Sequence, residues 1–342
     1  MSFEQPVLWL GLAGFTPEQR DQLSSQLALM PKGGPSWRVG AFAEADGWLV
    51  AGEKCRLVGA DTLKILAGLP TERAVQLDLD EVDRPIAFAL PLASSDFDPK
   101  HTFDLNSAAS LHQALQQFES WLRPLRSQFA LGGQLIARES ELLPGIYHVS
   151  QKGALLAVMD FHEWRIGIAR RADPVDFEQA HWDRRPLEAH DIPAHFLRSS
   201  LTQLRWIYAQ RTERDVLPPR YRSRPVYFRH APAVPTRWLR DSQLLLLREL
   251  SVEGGDFDAL QRRTALAPGQ LARDLASLYF AGSVTTTPDK AGTAAFSVGE
   301  DSLPGKKHNG LAQAAAAARS ASVNASAVPR RDLTAPAQLG RK

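Results

Sequence analysis

The chain has 342 residues, 44% of them hydrophobic, and a formal charge of +2. That length suits two or three domains, and no apolar run approaches the ~18 residues of a membrane span, so no membrane partner is expected. The first residues lack the basic-then-apolar layout of a secretory leader. The single cysteine, Cys55, leaves no internal disulfide and points to a cytoplasmic protein; as a lone small thiol it reads as a packing residue.

Residues 1–128 read as one α/β sensor or interaction unit. A buried-type strand at 7–12 precedes a helix at 17–29, capped by Thr16 with Pro17 at its first position. Strands follow at 37–42 and 47–51, then a short helix at 61–66 and two more strands at 75–82 and 85–92. Asn106 is placed to cap a long amphipathic helix, 107–128, with Leu111, Leu115, Phe118, Leu122 and Leu125 on one stripe.

The strand–helix start, the closing helix and Leu90-Pro91 after the last strand resemble the receiver domain of two-component response regulators, over about a third of the chain. The resemblance implies a phosphoacceptor fold, but its chemistry is missing. Ala13-Gly14-Phe15 stand where the family holds a metal ion with an acidic pair. Gly52-Glu53 stand where it has the phosphoacceptor aspartate, and Leu90 replaces the lysine before proline. Asp83-Arg84 is too short to carry a helix between the last two strands, which makes a hairpin of that pair an alternative. The unit is thus a pseudo-receiver that cannot be phosphorylated, or a generic α/β interaction domain.

Residues 129–240 change character. Strands at 145–150, 154–161 and 164–169 form a β-meander with a turn at Lys152-Gly153, and 194–210 reads as a helix. Five prolines between Arg211 and Pro235 mark an extended connector. Fifteen arginines and no lysine fall between Arg165 and Arg240, and many sit beside aromatic residues. Guanidinium grips phosphate with paired hydrogen bonds and stacks on rings, which lysine cannot do. Arg220, Arg222, Arg224 and Arg229, with Tyr227, are therefore candidates for a nucleotide second messenger or other phosphorylated ligand. On a regular strand Arg220, Arg222 and Arg224 would share one face. The alternative is a solvated arginine surface, and the arginine and Asp-x-Ser-x-x-Gly pattern of the PilZ cyclic-dinucleotide receptors is absent.

Residues 241–299 are the most specific stretch. Helices at 242–250, 257–263 and 268–280 are separated by short breaks, with Asp241 or Ser242 capping the first, Asp256 the second and Pro268 opening the third. Gly282 stops the third, and β-formers at 283–287 and 293–298 suit a hairpin. Helix, helix, turn, helix, hairpin resembles the winged helix-turn-helix of regulators, which implies DNA contact through the third helix and wing. Gln270, Arg273 and Ser277 would reach bases or phosphate, and Arg262 and Arg263 would clamp phosphates. Winged helices also bind proteins, and that alternative stays open.

Residues 300–342 are expected to be a disordered basic tail, with seven Lys or Arg against one acid, Asp332, from Ser302 to Lys342, and too little apolar surface to fold. The fold class is therefore a mixed α+β and α/β multidomain chain: a sandwich-like α/β domain, a β-meander with helix, a winged helix and the tail. No nucleophile elbow, phosphate loop or dinucleotide fingerprint occurs, so no catalytic residue and no cofactor are expected. His181, His190 and His195 lack metal-ligand spacing, and no metal is expected. The function expected is transcriptional or signalling control by DNA contact; the alternative is an adaptor whose winged helix binds protein while the arginine-rich segment senses a phosphorylated ligand.

Overall fold

The computed structural model describes residues 4–292 except 32, 60, 95 and 96; the expected second wing strand at 293–298 and the basic tail lie outside the described residues. The chain begins with strand β1 (Val7–Ala13), helix α1 (Pro17–Ala28), β2 (Ser36–Gly40) and β3 (Gly47–Ala51). Thr16 caps α1 as expected: its Oγ1 accepts the Gln19 N–H at 3.3 Å, and Gln19 Oε1 accepts the Thr16 N–H at 2.9 Å. Next come β4 (Cys55–Leu57), β5 (Thr62–Ile65), β6 (Val75–Asp78), β7 (Ile86–Leu90) and β8 (Thr102–Asp104). The parallel sheet runs β2-β1-β3-β7-β8, and β4-β5-β6 form a separate antiparallel sheet.

Period-two alternation divides the N-terminal core between two faces. Leu8, Leu10, Leu12, Leu49, Ala51, Ala87 and Ala89 face α1 and α2 (Ala108–Trp121). Ala13, Trp48, Val50 and Phe88 face Cys55, Leu63, Ile65 and Leu77 of the small sheet. Several expectations are corrected here. Residues 61–66 form strand β5, not a helix, because Leu63 and Ile65 bury alternately between β4 and β6. The segments at 75–82 and 85–92 are no hairpin: β6 joins the small sheet and β7 the parallel one. Leu90-Pro91 follows the fourth parallel strand, not the last. Ser107, not Asn106, caps α2, and the long helix ends at Trp121, where Pro124 helps start α3 (Arg123–Ala137).

The middle sheet contains β9 (Ile146–Gln151), β10 (Ala154–Asp160), β11 (Arg165–Ala169), β12 (His181–Arg185) and β13 (Phe196–Ser200) in the antiparallel order β12-β9-β10-β11-β13. The meander is as expected. The helix expected at 194–210 starts at Leu201, because 196–200 pairs with β11 and Ser200 caps α4 (Leu201–Arg211) in a box with Gln203. One face of the sheet packs on α3 and α4 through Val149, Met159, Ile166, Ile168, Leu131, Leu135 and Leu204. Gly132 and Gly133 let the two helices approach: a Cβ on Gly132 would lie 3.0 Å from Leu204 O, and one on Gly133 3.0 Å from Tyr208 Cε2.

Beyond α4 come α5 (Arg220–Ser223), β14 (Tyr227–Phe228), α6 (Asp241–Val252), α7 (Phe257–Thr264), α8 (Pro268–Phe280) and β15 (Val284–Thr285). The proline-rich segment is no bare connector. Leu217, Tyr221, Val226 and Phe228 bury in one core with Leu246, Leu250, Leu260, Leu271, Leu275 and Leu278. β14 pairs with β15, and Val226 bridges to Gly255. The prolines only punctuate this segment, and its apolar residues complete the C-terminal unit well before residue 241. Gly282, at φ +71, ends α8 where a residue with a Cβ would be strained.

Candidate functional site

Helix α4 is the hub. Leu201 and Leu204 face the middle sheet, Ile207 and Tyr208 face Phe129 of α3, and Trp206 and Ala209 join the C-terminal core. A helix buried all round cannot present a working surface, but it can couple the units it touches. The Tyr208 hydroxyl, pushed up to about 12 chiefly by burial, donates to Glu4 Oε2 at 2.8 Å. Glu4 also accepts from the Thr212 hydroxyl and pairs with Arg214 at 3.1 Å.

Next to this lies a three-way junction. Arg211, at the end of α4, grips Asp46 with two bonds of 2.8 and 2.6 Å, and Asp46 also accepts the Trp9 N–H at 2.9 Å. Arg240 pairs with Glu44 at 3.6 Å and stacks over Trp9 at 5.6 Å. Its burial lowers the guanidinium below its ordinary value, with Arg211 adding to the effect. Arg240 also faces Asp274 of α8. The N-terminal unit is thus tied to α4, and through Arg240 to the entry of α6 and to α8.

On α8 the expected reading face is split: Gln270 and Arg273 stay partly exposed, while Asp274 and Ser277 turn inward. Asp274 and Ser277 are 0% exposed. Ser277 Oγ accepts from Gln210 Nε2 of α4 at 3.0 Å and donates to Arg273 O at 2.9 Å. Asp274 accepts from Gln270 Nε2 at 3.1 and 3.0 Å and is hydrogen-bonded to Ser242. Burial raises its carboxyl above the ordinary aspartate value, against those hydrogen bonds and the nearby arginines. Arg273 is half-buried and donates to Gln270 at 3.4 Å. Of the five residues expected to touch DNA, three are bound into this internal chain.

The other two part ways. Arg263 lies among Glu249 at 3.8 Å and Glu253 at 3.4 Å. Arg262 is exposed and lines a shallow groove of about 420 Å³ with Asp258, Gln261, Ala265 and Leu266. The arginine set also disperses. Residues 220–223 are helical, so Arg220, Arg222 and Arg224 do not share a face as they would on a strand. Arg222 pairs with Asp215 and stacks on Phe257 at 4.8 Å. Arg220 lies 5.4 Å from Tyr221 and 5.7 Å from Tyr279. Arg224 and Arg229 are exposed, while Tyr227 packs where a Cβ on Gly254 would come within 2.5 Å. Arg220 and Arg229 both act on Tyr221, while Arg222 is taken up by Asp215 and Phe257.

The remaining candidate groups are structural. The Cys55 thiol is buried and pushed up to about 12 by burial, which leaves it protonated and inert. His181 Nε2 meets Asp183 at 2.9 Å, and among the described residues no group of three metal-ligating side chains gathers. Among them also, no helix is long and apolar enough to cross a membrane. The junction of Asp46, Glu44, Arg211 and Arg240 had no signal in the sequence, since 165 positions separate Asp46 from Arg211. No family model matches the chain, and no curated protein and no solved structure matches it either.

Proposed function

We propose that the protein is a cytoplasmic, non-enzymatic regulatory adaptor whose C-terminal three-helix unit works by protein contact. One observation carries this reading: α8, the helix a DNA reader would lay in a groove, is enclosed, with Asp274 and Ser277 fully buried against α6 and α4. The face left open is the end of α7 and its turn. There Asp258 stands one helical turn from Arg262, beside Gln261, Ala265 and Leu266, and two glutamates neutralise Arg263. Mixed charge with apolar contact suits a protein surface; phosphate needs uncompensated positive charge. DNA contact through Ser277 would require α4 to leave α8, because Gln210 of α4 bonds its hydroxyl.

The test has two arms. Fluorescence anisotropy of labelled genomic fragments should show no sequence-selective binding at ~50 mM salt, where phosphate contacts are strongest. A photo-crosslinker in place of Arg262 should capture a discrete protein in cells, and Leu266→Asp should abolish the capture. Selective, salt-dependent DNA binding that is lost in Gln270→Ala and Arg273→Ala would overturn the proposal.

A further inference from the structure

The face of the middle sheet turned away from α3 and α4 carries a second built feature. Residues 186–195 fold back across it; two contacts fix them to the sheet and a third braces the segment internally. Ile192 sits on Gly167, where a Cβ would lie 2.1 Å from Ile192 Cγ2. His148 Nε2 donates to Ala189 O at 3.0 Å, and His190 Nδ1 donates to Leu187 O at 3.0 Å. Between this segment and strands β11 and β13 lies a cavity of about 310 Å³, whose lining includes Arg165, Arg198, His190 and Ile192.

The strand register sets its chemistry. Arg165 stands opposite Ser200, and Arg198 opposite Gly167, so both arginines belong to the same face, one step apart on neighbouring strands. Arg165 is held by Asp160 at 3.2 Å. Asp160 also accepts the His162 and Glu163 N–H groups, both at 3.0 Å. Arg198 has neither an ion pair nor a side-chain hydrogen bond among the described residues. Asp191 also lines the cavity and lies 3.9 Å from His190 Nε2, but its side chain is 100% exposed and screened by water. Arg198 thus stands unpaired beside a second guanidinium, next to an imidazole engaged by Leu187 O on one side and Asp191 on the other.

The geometry points to a binding site for a small phosphorylated ligand of about mononucleotide size in this cavity. The Arg198 guanidinium fork matches phosphate with two parallel bonds, Arg165 adds a second positive charge on the same face, and Ile192 supplies an apolar wall for the ligand's body. The volume falls at the small end of ligand sites. This site is separate from the α4–α8 junction and from the arginines around α5, and it gives the proposed adaptor an input of its own.

Calorimetric titration of the full chain with inorganic phosphate and with guanosine 5′-monophosphate, at low salt, tests the site. The nucleotide should bind more tightly than phosphate alone. Arg198→Ala should weaken it about 10–100-fold, the range for hydrogen bonds to a charged group. Arg198→Lys should weaken it less, and Arg222→Ala, in the C-terminal unit, should leave it unchanged. Arg198 is exposed, so its loss spares the fold, and circular dichroism of the variant verifies this. Absence of heat with both probes at millimolar concentration, equal affinity in Arg198→Ala, or phosphate binding as tightly as the nucleotide would each overturn the assignment.

Discussion

Gln210 on α4 donates a buried hydrogen bond of 3.0 Å to Ser277 on α8, and this one bond lies where a DNA groove would have to enter. Leaving a buried partner unsatisfied costs about 1–3 kcal/mol, whereas removing both partners is close to neutral. Gln210→Ala should therefore destabilise the chain by that amount in urea unfolding. Ser277→Ala on top of it should cost little more. Purely additive losses would show that the bond does not couple the two helices.

Asp274 gives a pH test. Burial holds its carboxyl above the value it has in the unfolded chain, so the neutral form is favoured by folding. Its stabilising share is complete below the unfolded value, ~3.9, and is lost as pH rises through the higher folded value. Asp274→Asn keeps an acceptor for Gln270 and removes the ionisation. Its stability relative to the parent should therefore improve as pH rises from 4 to 8 and show no gain at pH 3. Parallel stability curves across that range would contradict the raised value.

Asp46 and Arg211 are 8% and 15% exposed, so their pair is largely shielded from solvent. Removing one partner of a buried pair costs about 3–5 kcal/mol, while replacing both with apolar residues is often neutral. Asp46→Ala should fall in that range and loosen the N-terminal unit from α4, read by faster proteolysis between the two. Arg211→Met in the same chain should recover part of the loss. A cost within ~1 kcal/mol, as for a surface pair, would show that this contact does not tie the units together.

Gly167 is tested by size. A methyl there would meet Ile192 Cγ2 at 2.1 Å, and overpacking of this kind costs about 1–3 kcal/mol. Gly167→Ala should lower the melting temperature, and Ile192→Ala should largely rescue it. Failure of the rescue would mean that residues 186–195 do not rest on the sheet through Ile192.

Much of the fold was legible because the responsible signals are local. Thr16 and Gln19 form their capping box within four residues, and Lys152-Gly153 turns a hairpin between alternating strands. Asp256 and Pro268 start their helices where capping chemistry places them. The errors arose where tertiary pairing overrides local pattern. Residues 62–65 became a strand only because β4 and β6 lie on either side, and 196–200 because β11 offers an edge. The prolines between 211 and 235 drew attention away from Leu217, Tyr221, Val226 and Phe228, which are core. The candidate site suffered most. Gln270, Arg273 and Ser277 do share a helix, but Ala272, Ala276 and Ser277 make α8 slim enough for α4 to pack along it. Nothing near residue 277 announces Gln210.

Whether α8 is enclosed can be measured by thiol labelling. Ser277→Cys should stay unlabelled in native buffer and react only as urea unfolds the chain, with buried Cys55 in the parent as the blank. Arg262→Cys, on the open face of α7, should react at once. Labelling of Cys at position 277 at the rate seen at position 262 would contradict the burial of α8 and return its face to DNA.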